Sequence, residues 1–463
     1  MRRIAESFLD SWATDENRKP LVIRGARQVG KSTLVRNYAQ KAGLRLIEIN
    51  LEKTPQLLSS FKTNDSRRIL SDLALHSGAP INPESDLIFI DEIQAIPHAF
   101  GALRYFYEDS PQFKVIAAGS LLEVMLAEQE FSMPVGRIQF LSLGPMSFFE
   151  FLEAKNETQA LQLLRSFTLH DKKSFLDYSD VLHAKMIDHY HDYLWTGGMP
   201  EVVAEYVKDR GEIPAKIFSK ITEIKSSILE TYRSDFGKYR KRYPQERLER
   251  IFDYASRNVG EKVKYSNVSR EDVARDLKPG LELLERARVL KRIFHTAATS
   301  IPLSATQDET VFKLLFLDVG LMITSLGLGP KDLKNNTALN PALKGQIAEQ
   351  FIGQQLLSAL PQSTPGLFYW LREGKAGNAE IDYVIQNGSE IIPLECKAGL
   401  RGSHKSLTQF MLKKKGGRAI RFDLNPPSQQ TIKNSTADQK TAEFDVIGLP
   451  VYLAERVFEL VSH

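Results

Sequence analysis

One segment limits what this chain can fold into more than any other: Leu21-Val22-Ile23-Arg24-Gly25-Ala26-Arg27-Gln28-Val29-Gly30-Lys31-Ser32-Thr33. An apolar run stops at a glycine, Gly30-Lys31-Ser32 follows at the spacing G-x-x-x-x-G-K-[ST], and a helical pattern runs on to residue 42. Strand, glycine loop and helix in that order make a cradle for phosphate. The glycines let the backbone curl so that N–H groups face an anion, and the helix adds its N-terminal partial positive charge. Gly25, Ala26, Arg27, Gln28, Val29, Gly30, Lys31, Ser32 and Thr33 are therefore expected around a nucleotide's phosphates. Lys31 reaches the terminal phosphates as a catalytic cation, and the Ser32 hydroxyl suits Mg²⁺. The plainer reading is a glycine turn between a strand and a helix; spacing, lysine, serine and flanking pattern all favour the cradle.

Downstream residues extend the same site. The apolar run 86–90 ends in Asp91-Glu92, about 55 residues past the loop. Asp91 is placed in the shell of the Mg²⁺, and Glu92 is placed to activate water against the terminal phosphate. The next buried run, 113–119, ends at Ser120. Its hydroxyl either senses the terminal phosphate or caps a helix over 121–127. Arg137 precedes a further short strand; it is read as an arginine finger reaching a neighbouring subunit's nucleotide, or else as a surface ion pair. Strands alternating with helices imply a parallel sheet covered on both faces, with these motifs at the strands' C-terminal ends.

The motifs Gly-Ala-Arg-Gln-Val-Gly-Lys-Ser-Thr, Phe-Ile-Asp-Glu-Ile-Gln, Ala-Gly-Ser, Val-Gly-Arg and Gly-Pro-Met-Ser-Phe-Phe-Glu-Phe resemble those of prokaryotic AAA+-superfamily ATPases. The resemblance is greatest to a group whose ATPase module is fused to a C-terminal domain of unknown function. It runs along nearly the whole chain, is specific for the ATPase, and says much less about the biological task. It also implies a role for Trp195-Thr196-Gly197-Gly198-Met199-Pro200. A similar Gly-x-Pro element lies in the helical lid of such ATPases, so Pro200 is expected near the nucleotide. The alternative is a helix–helix turn, and no sensor arginine stands beside the motif.

Bulk properties set outer limits. The length of 463 residues allows about three domains. One cysteine, Cys396, excludes an internal disulfide and cysteine-based metal clusters and fits a reducing, cytoplasmic setting. No signal-peptide core follows Met1-Arg2-Arg3-Ile4, and no run approaches a membrane span, so no membrane partner is expected. Net charge is +4, but residues 201–300 hold 22 Lys and Arg against 16 Asp and Glu, a local +6. That excess fits either a face for nucleic acid or a solvated helix surface. Within it, Asp235-Phe236-Gly237-Lys238-Tyr239-Arg240-Lys241-Arg242-Tyr243 interleaves aromatics with cations, a composition suited to phosphate contact and base stacking. Helical patterns over 244–258 and 266–288, then strand patterns over 289–295 and 311–317, suggest a winged helix. Its recognition-like helix would be 282–288, with Lys291 and Arg292 entering the wing; winged helices also serve as spacers between proteins.

The C-terminal residues carry a second constellation. Glu349 is expected near the start of a helix, Asp382 on a strand, and Glu395-Cys396-Lys397 at the end of the strand after an Asn387-Gly388 hairpin. Glu395 and Lys397 share a strand face, and Cys396 points away from them to pack. Glu349, Asp382 and Glu395 form an all-oxygen set suited to Mg²⁺ or Mn²⁺, with Lys397 orienting water or meeting the leaving charge. Helix Glu, strand Asp, and Glu-x-Lys thirteen residues later resembles the PD-(D/E)XK nuclease fold, with Gln409 as an auxiliary residue. A nuclease-like domain that no longer cuts, or a hairpin with alternating charge, stays open beside it.

The expected fold is α/β. An N-terminal parallel-sheet P-loop ATPase core (1–145) carries a helical lid (146–205). A winged-helix-like module (206–340) and an α/β nuclease-like domain (341–463) follow. The expected function is Mg²⁺-dependent ATP binding and hydrolysis, acting on nucleic acid (DNA ahead of RNA) through the C-terminal domain, in a homo-oligomeric ring. Two other classes remain: a nucleotide-controlled oligomeric switch whose nuclease-like domain binds without cutting, and a chaperone-like remodeller of proteins.

Overall fold

The computed structural model describes residues 1–119, 134, 136–208, 215–239, 243–335, 339–360, 366–373, 378–399, 404–414, 417–435 and 441–462. Ser120, the expected helix over 121–127, and Arg240, Lys241 and Arg242 lie outside the described residues. The chain is mixed α/β and divides into two compact units. The first is Met1–Pro145 with the short segment Arg286–Val289; the second is Met146–Glu285 with Leu290–His463.

The first unit is built on five strands: β1 (Leu21–Arg24), β2 (Arg45–Asn50), β3 (Asp86–Asp91), β4 (Lys114–Gly119) and β5 (Gln139–Ser142). Their order is β2-β3-β4-β1-β5, and every pairing is parallel. Every residue of β3 is buried, as expected for a parallel strand covered on both faces. One face packs Ile47, Ile49, Ile88, Ile90 and Val115 against Phe100, Leu103 and Phe106 of the helix Pro97–Asp109. Local signals set the boundaries. Asp65 caps the helix Ser66–Ser77 by accepting from the Arg67 and Arg68 amides, and Gly78 ends it at φ +76°. Because β1 pairs residue for residue with both β4 and β5, the end of β1 and the loop after it sit centrally at the C-terminal edge of the sheet.

The second unit opens with helices. Ser147 and Glu150 form a reciprocal capping box on the helix Phe148–Ala154. The helix Asp180–Thr196 ends at Gly197, and Pro200 is the first residue of the helix Pro200–Tyr206. The residues expected as a lid, 146–205, thus group with the C-terminal part of the chain. The helices Ala215–Phe236, Gln245–Arg257, Tyr265–Val268 and Ala274–Arg286 lead into an antiparallel pair, β6 (Leu290–Thr296) and β7 (Gln307–Phe316). This is the element order of a winged helix, but the hairpin is not a free wing. β6 also pairs in parallel with β8 (Phe368–Arg372). Six further strands follow: β8, β9 (Ala379–Asn387), β10 (Glu390–Cys396), β11 (Arg418–Asp423), β12 (Ser428–Ser435) and β13 (Thr441–Pro450). With β6 and β7 they make one eight-stranded mixed sheet, ordered β12-β13-β11-β10-β9-β8-β6-β7. The expected boundary at 340/341 therefore runs through one sheet.

The helix Pro341–Ala359 begins earlier than its sequence pattern suggested. Asn340 caps it through the Ala342 amide, which puts Glu349 mid-helix. Three buried glutamines on this helix satisfy backbone groups elsewhere. Gln350 pairs with both the N–H and the C=O of Phe316 (2.9 and 2.8 Å), while Gln354 accepts from Val319 and Gln355 from Phe148. Among the described residues no helix is long and apolar enough to cross a membrane.

Candidate functional site

At the end of β1 the chain makes the loop that the sequence marked. A Cβ on Gly25 would stand 2.2 Å from the Leu143 carbonyl oxygen, so only glycine lets the loop start against the end of β5. Gln28 and Gly30 take left-handed φ values, +62° and +89°, which curl the loop into the helix Lys31–Lys41. No side chain caps the first turn of that helix, as an anion site at a helix N-terminus requires. Lys31 folds back inside the loop, donating to the Gly25 and Ala26 carbonyls at 3.0 and 2.8 Å. Burial lowers its ammonium to about 8, and the Glu92 and Asp91 carboxylates oppose that fall.

The acids expected at the end of β3 meet this loop. Ser32 Oγ donates to Asp91 Oδ2 at 2.9 Å, and Asp91 Oδ1 accepts the Glu92 amide at 3.0 Å. Burial raises the Asp91 carboxyl above the usual range, Ser32 works against that rise, and the Glu92 charge adds to it. Glu92 sits at φ +50°, a left-handed strain of the kind that accumulates at functional sites. Its carboxylate is held by Gln94 Nε2 at 2.5 Å. Gln94 in turn fits because Gly119 carries no side chain; a Cβ there would lie 2.2 Å from Gln94 Oε1. Neither Gln94 nor Gly119 carries an expected role in the sequence. The hint was their spacing from the acids and from Ser120, but the strain at Glu92 that they support has no sequence signature. A hydroxyl bonded to a carboxylate beside a buried lysine and an uncapped helix start is a donor set that fits Mg²⁺ and a nucleotide. Ser32 and Asp91 would hold the metal, and the loop amides with Lys31 would hold the phosphates.

Two expected contributors are engaged elsewhere. Arg137 pairs with Glu108 at 2.8 Å and stands 5.7 Å from the centroid of the Tyr107 ring; within this chain it is a surface ion pair. Pro200 starts a helix in the second unit, where the preceding turn is a packing device. Gly198 N–H donates to Asp318 Oδ2 at 2.7 Å, Gly198 O accepts from Met146 at 2.6 Å, and a Cβ on Gly197 would stand 2.0 Å from Asp318. The turn is fixed by Asp318, a residue 120 positions away, and nothing local in the sequence points to it.

The basic middle stretch also changes meaning. Phe236, Tyr239 and Tyr243 are buried, and Phe236 packs edge-on against Phe252 while Tyr243 donates to the Asp276 carbonyl. These aromatics are core, not a stacking platform. Lys291 and Arg292 both pair with Glu285, at 2.9 and 2.6 Å, instead of projecting from a wing.

The C-terminal acids share one region without forming one ligand set. Glu349 Oε1 accepts from Lys313 Nζ at 3.0 Å, and Lys313 also pairs with Glu380. Glu395 Oε1 pairs with Lys397 at 2.6 Å. Asp382 lies between them, accepting the Cys396 amide at 2.6 Å and adding negative charge near both Glu349 and Glu395. Burial pushes the Glu349 carboxyl up, the Lys313 ammonium pulls it back, and Asp382 and Glu380 add to the rise. Burial would lower Lys313, but Glu349 and Glu380 outweigh it and hold the ammonium firmly charged. Among the described residues Glu395 Oε2 is buried with no hydrogen-bond partner, as are the Tyr369 hydroxyl and His404 Nδ1. Yet among the described residues no three His, Cys, Asp or Glu groups come together to hold a metal ion. The residues do not fit the expected metal set as they stand. The break comes from Lys313 on β7, outside the stretch where the motif was sought. Gln409 is turned to Arg372. Burial, Asp382 and Glu349 raise the Cys396 thiol well above its ordinary value, which agrees with a packing role.

Comparison with known proteins matches three consecutive parts of the chain to family models. Residues 17–152 match an AAA domain, residues 187–332 a domain of unknown function (DUF8612), and residues 344–452 another (DUF4143). The first unit thus carries an AAA-type P-loop ATPase domain. No curated protein matches the chain. Among solved structures it is similar to the ORC2 protein of Aeropyrum pernix, solved in ADPNP–ADP complexes. Identity there is 13%, coverage 73% of this chain and 96% of that one, and TM-score 0.33. It is also similar to the Thermotoga maritima RuvB Holliday junction branch migration motor (15% identity, 62% and 87% covered, TM-score 0.29). AMPPCP-bound DnaA from Aquifex aeolicus gives 17% identity, 62% and 86% covered, and TM-score 0.26. At such scores none of them bears on what this chain does.

Proposed function

We propose that this protein hydrolyses ATP with Mg²⁺ in its first unit, and that the nucleotide state controls how the rest of the chain engages nucleic acid without cutting it. One observation carries the hydrolytic reading: the Ser32–Asp91 bond at 2.9 Å, flanked by buried Lys31 in the loop and Glu92 at the strand end. Lys31 leaves the Gly25 and Ala26 carbonyls to meet the terminal phosphates. The loop amides and the uncapped helix start hold the remaining phosphate charge. Glu92, kept in place by Gln94, accepts the proton of the attacking water. The metal, when bound at Ser32 and Asp91, supplies charge neutralisation on the phosphate oxygens. Arg137 is exposed enough to leave Glu108 for a neighbouring subunit's nucleotide, so the active form is an oligomer.

Switching is favoured over cutting because Glu349 and Glu395 are each held by a separate lysine instead of standing together. The local excess of positive charge over 201–300 supports nucleic acid as the partner. The test uses the full chain with ATP and Mg²⁺. Phosphate release is expected and should vanish in Lys31→Ala. Fluorescence anisotropy of duplex DNA is expected to differ between the ATP-bound and ADP-bound protein. Metal-dependent shortening of DNA that is lost in Lys397→Ala would replace the switch with a nuclease. DNA affinity identical in both nucleotide states would remove the switch.

A further inference from the structure

Lys313 occupies an unusual place for a lysine. It lies on β7 between buried apolar residues Phe312 and Leu314, is itself 2% exposed, and comes from outside the residues matched by the C-terminal family model. A buried ammonium is strongly unfavourable unless it is paired and its donors are satisfied. Here two carboxylates take them: Glu349 Oε1 at 3.0 Å and Glu380. The Tyr369 ring, 5.0 Å from Nζ to the centroid, covers a further side. Glu349 is packed closely on its other side. Its Oε2 rests against Gly260, where a Cβ would stand 2.4 Å off and which holds φ +75°. The Tyr383 hydroxyl donates to the Glu349 carbonyl at 2.9 Å, fixing the helix that carries it.

We propose that Lys313 is a resident counter-ion standing where a divalent cation would otherwise bind among Glu349, Glu380 and Asp382, so that this acidic cluster is held together without metal. Mg²⁺ needs several oxygen ligands at about 2.0–2.1 Å with near-octahedral geometry, and Mn²⁺ favours the same oxygen donors. An ammonium already bonded to two of the carboxylates fills that space and neutralises part of the charge that would attract the ion. The lysine comes from one family-matched segment and its carboxylates from the next, so it also joins the two halves of the eight-stranded sheet. This inference concerns the second unit only and does not depend on ATP hydrolysis.

The experiment measures Mn²⁺ binding to the nucleotide-free full chain by electron paramagnetic resonance and titration calorimetry. It compares wild type with Lys313→Met, Glu349→Gln and the Lys313→Met/Glu349→Gln double variant. The loop near Ser32 and Asp91 is the same in all four and cancels. Lys313→Met is expected to gain one additional Mn²⁺ that neither wild type nor Glu349→Gln holds, and the double variant is expected to lose it. Thermal melts give the second reading. Each single variant should melt below wild type, the double variant above Lys313→Met, and Mn²⁺ should raise the Lys313→Met melt alone. If Lys313→Met does not fold without metal, recovery of a cooperative melt on refolding with Mn²⁺ supports the proposal, and failure to recover with Mn²⁺ overturns it. A folded Lys313→Met that gains no ion overturns it as well, as does wild-type Mn²⁺ binding that Glu349→Gln abolishes.

Discussion

Lys31 joins structure to a measurable property. Burial holds its ammonium at about 8 in the nucleotide-free protein, and phosphate oxygens in contact would favour the charged form. Nucleotide binding should therefore take up a proton in alkaline buffer. Affinity should fall by up to roughly tenfold per pH unit above pH ~8, until the bound lysine itself titrates. Calorimetry in two buffers of different ionisation heat reads that proton directly; equal apparent heats would contradict it. Gly25 offers a second check at this scale. Gly25→Ala would place a Cβ 2.2 Å from the Leu143 carbonyl, so the loop must move away from β5. Nucleotide affinity should drop by more than about tenfold, with a melt lowered by only about 1–3 kcal/mol of stability; unchanged affinity would count against the close approach. These residues were legible in the sequence because a phosphate loop needs specific types at fixed spacing. Glu92's strained backbone and its support by Gln94 were not, since neither spacing nor composition encodes a φ angle.

The turn Gly197-Gly198 shows how an element's meaning depends on partners far along the chain. Its glycines were legible, but its task was not, because Asp318 and Lys225 do the fixing. Lys225 is buried, donates to the Trp195 carbonyl at 2.7 Å, and lies 4.6 Å from the centroid of the Trp195 ring. Burial lowers its ammonium to about 7, against the opposing pull of Asp318. The folded value lies below the unfolded one of 10.5. Between those values the unfolded chain binds the extra proton, so stability of the second unit rises with pH across that window. Denaturant melts at stepped pH should show that slope, and Lys225→Met should flatten it; parallel slopes would contradict the burial argument. Gly197→Ala, at φ +71° and 2.0 Å from Asp318, should cost about 2–4 kcal/mol in the same melts. The middle stretch was legible in the same partial way. The helix over 244–258 and the two strands have counterparts, but the helix expected over 266–288 is two, Tyr265–Val268 and Ala274–Arg286, and the pairing of β6 with β8 is a long-range choice that periodicity cannot express.

At the scale of the whole molecule, the two sheets divide the chain differently from its motifs. Of the five parallel strands, β1, β3 and β4 were readable as apolar runs leading to site residues, β2 from its alternation and β5 as a short strand after Arg137. Of the eight-stranded sheet, β6 and β7 were readable as the strands over 289–295 and 311–317, and β9 and β10 as a hairpin; its two-residue turn is Gly388-Ser389, with Asn387 closing the ladder opposite Glu390 and Gly388 at φ +56°. β12 carries a polar sequence, Ser-Gln-Gln-Thr-Ile-Lys-Asn-Ser, and is a strand because β13 pairs with it over eight residues. Since β6 and β7 complete this sheet, a fragment of 146–463 should unfold cooperatively, whereas 341–463 should not, because β8 would lose its neighbour and Glu349 its lysine. Circular dichroism melts of the two fragments test this; a cooperative melt of the shorter one would contradict the shared sheet. Under the proposed function the first unit turns over ATP through Glu92 rather than merely binding it. Single-turnover hydrolysis of Mg²⁺-ATP by wild type and Glu92→Gln, with nucleotide affinity measured alongside, tests it most directly. The predicted result is affinity within a few-fold and hydrolysis slowed by about 10²–10⁴ in the variant. Hydrolysis at the same rate in both, or none in the wild type, would contradict it.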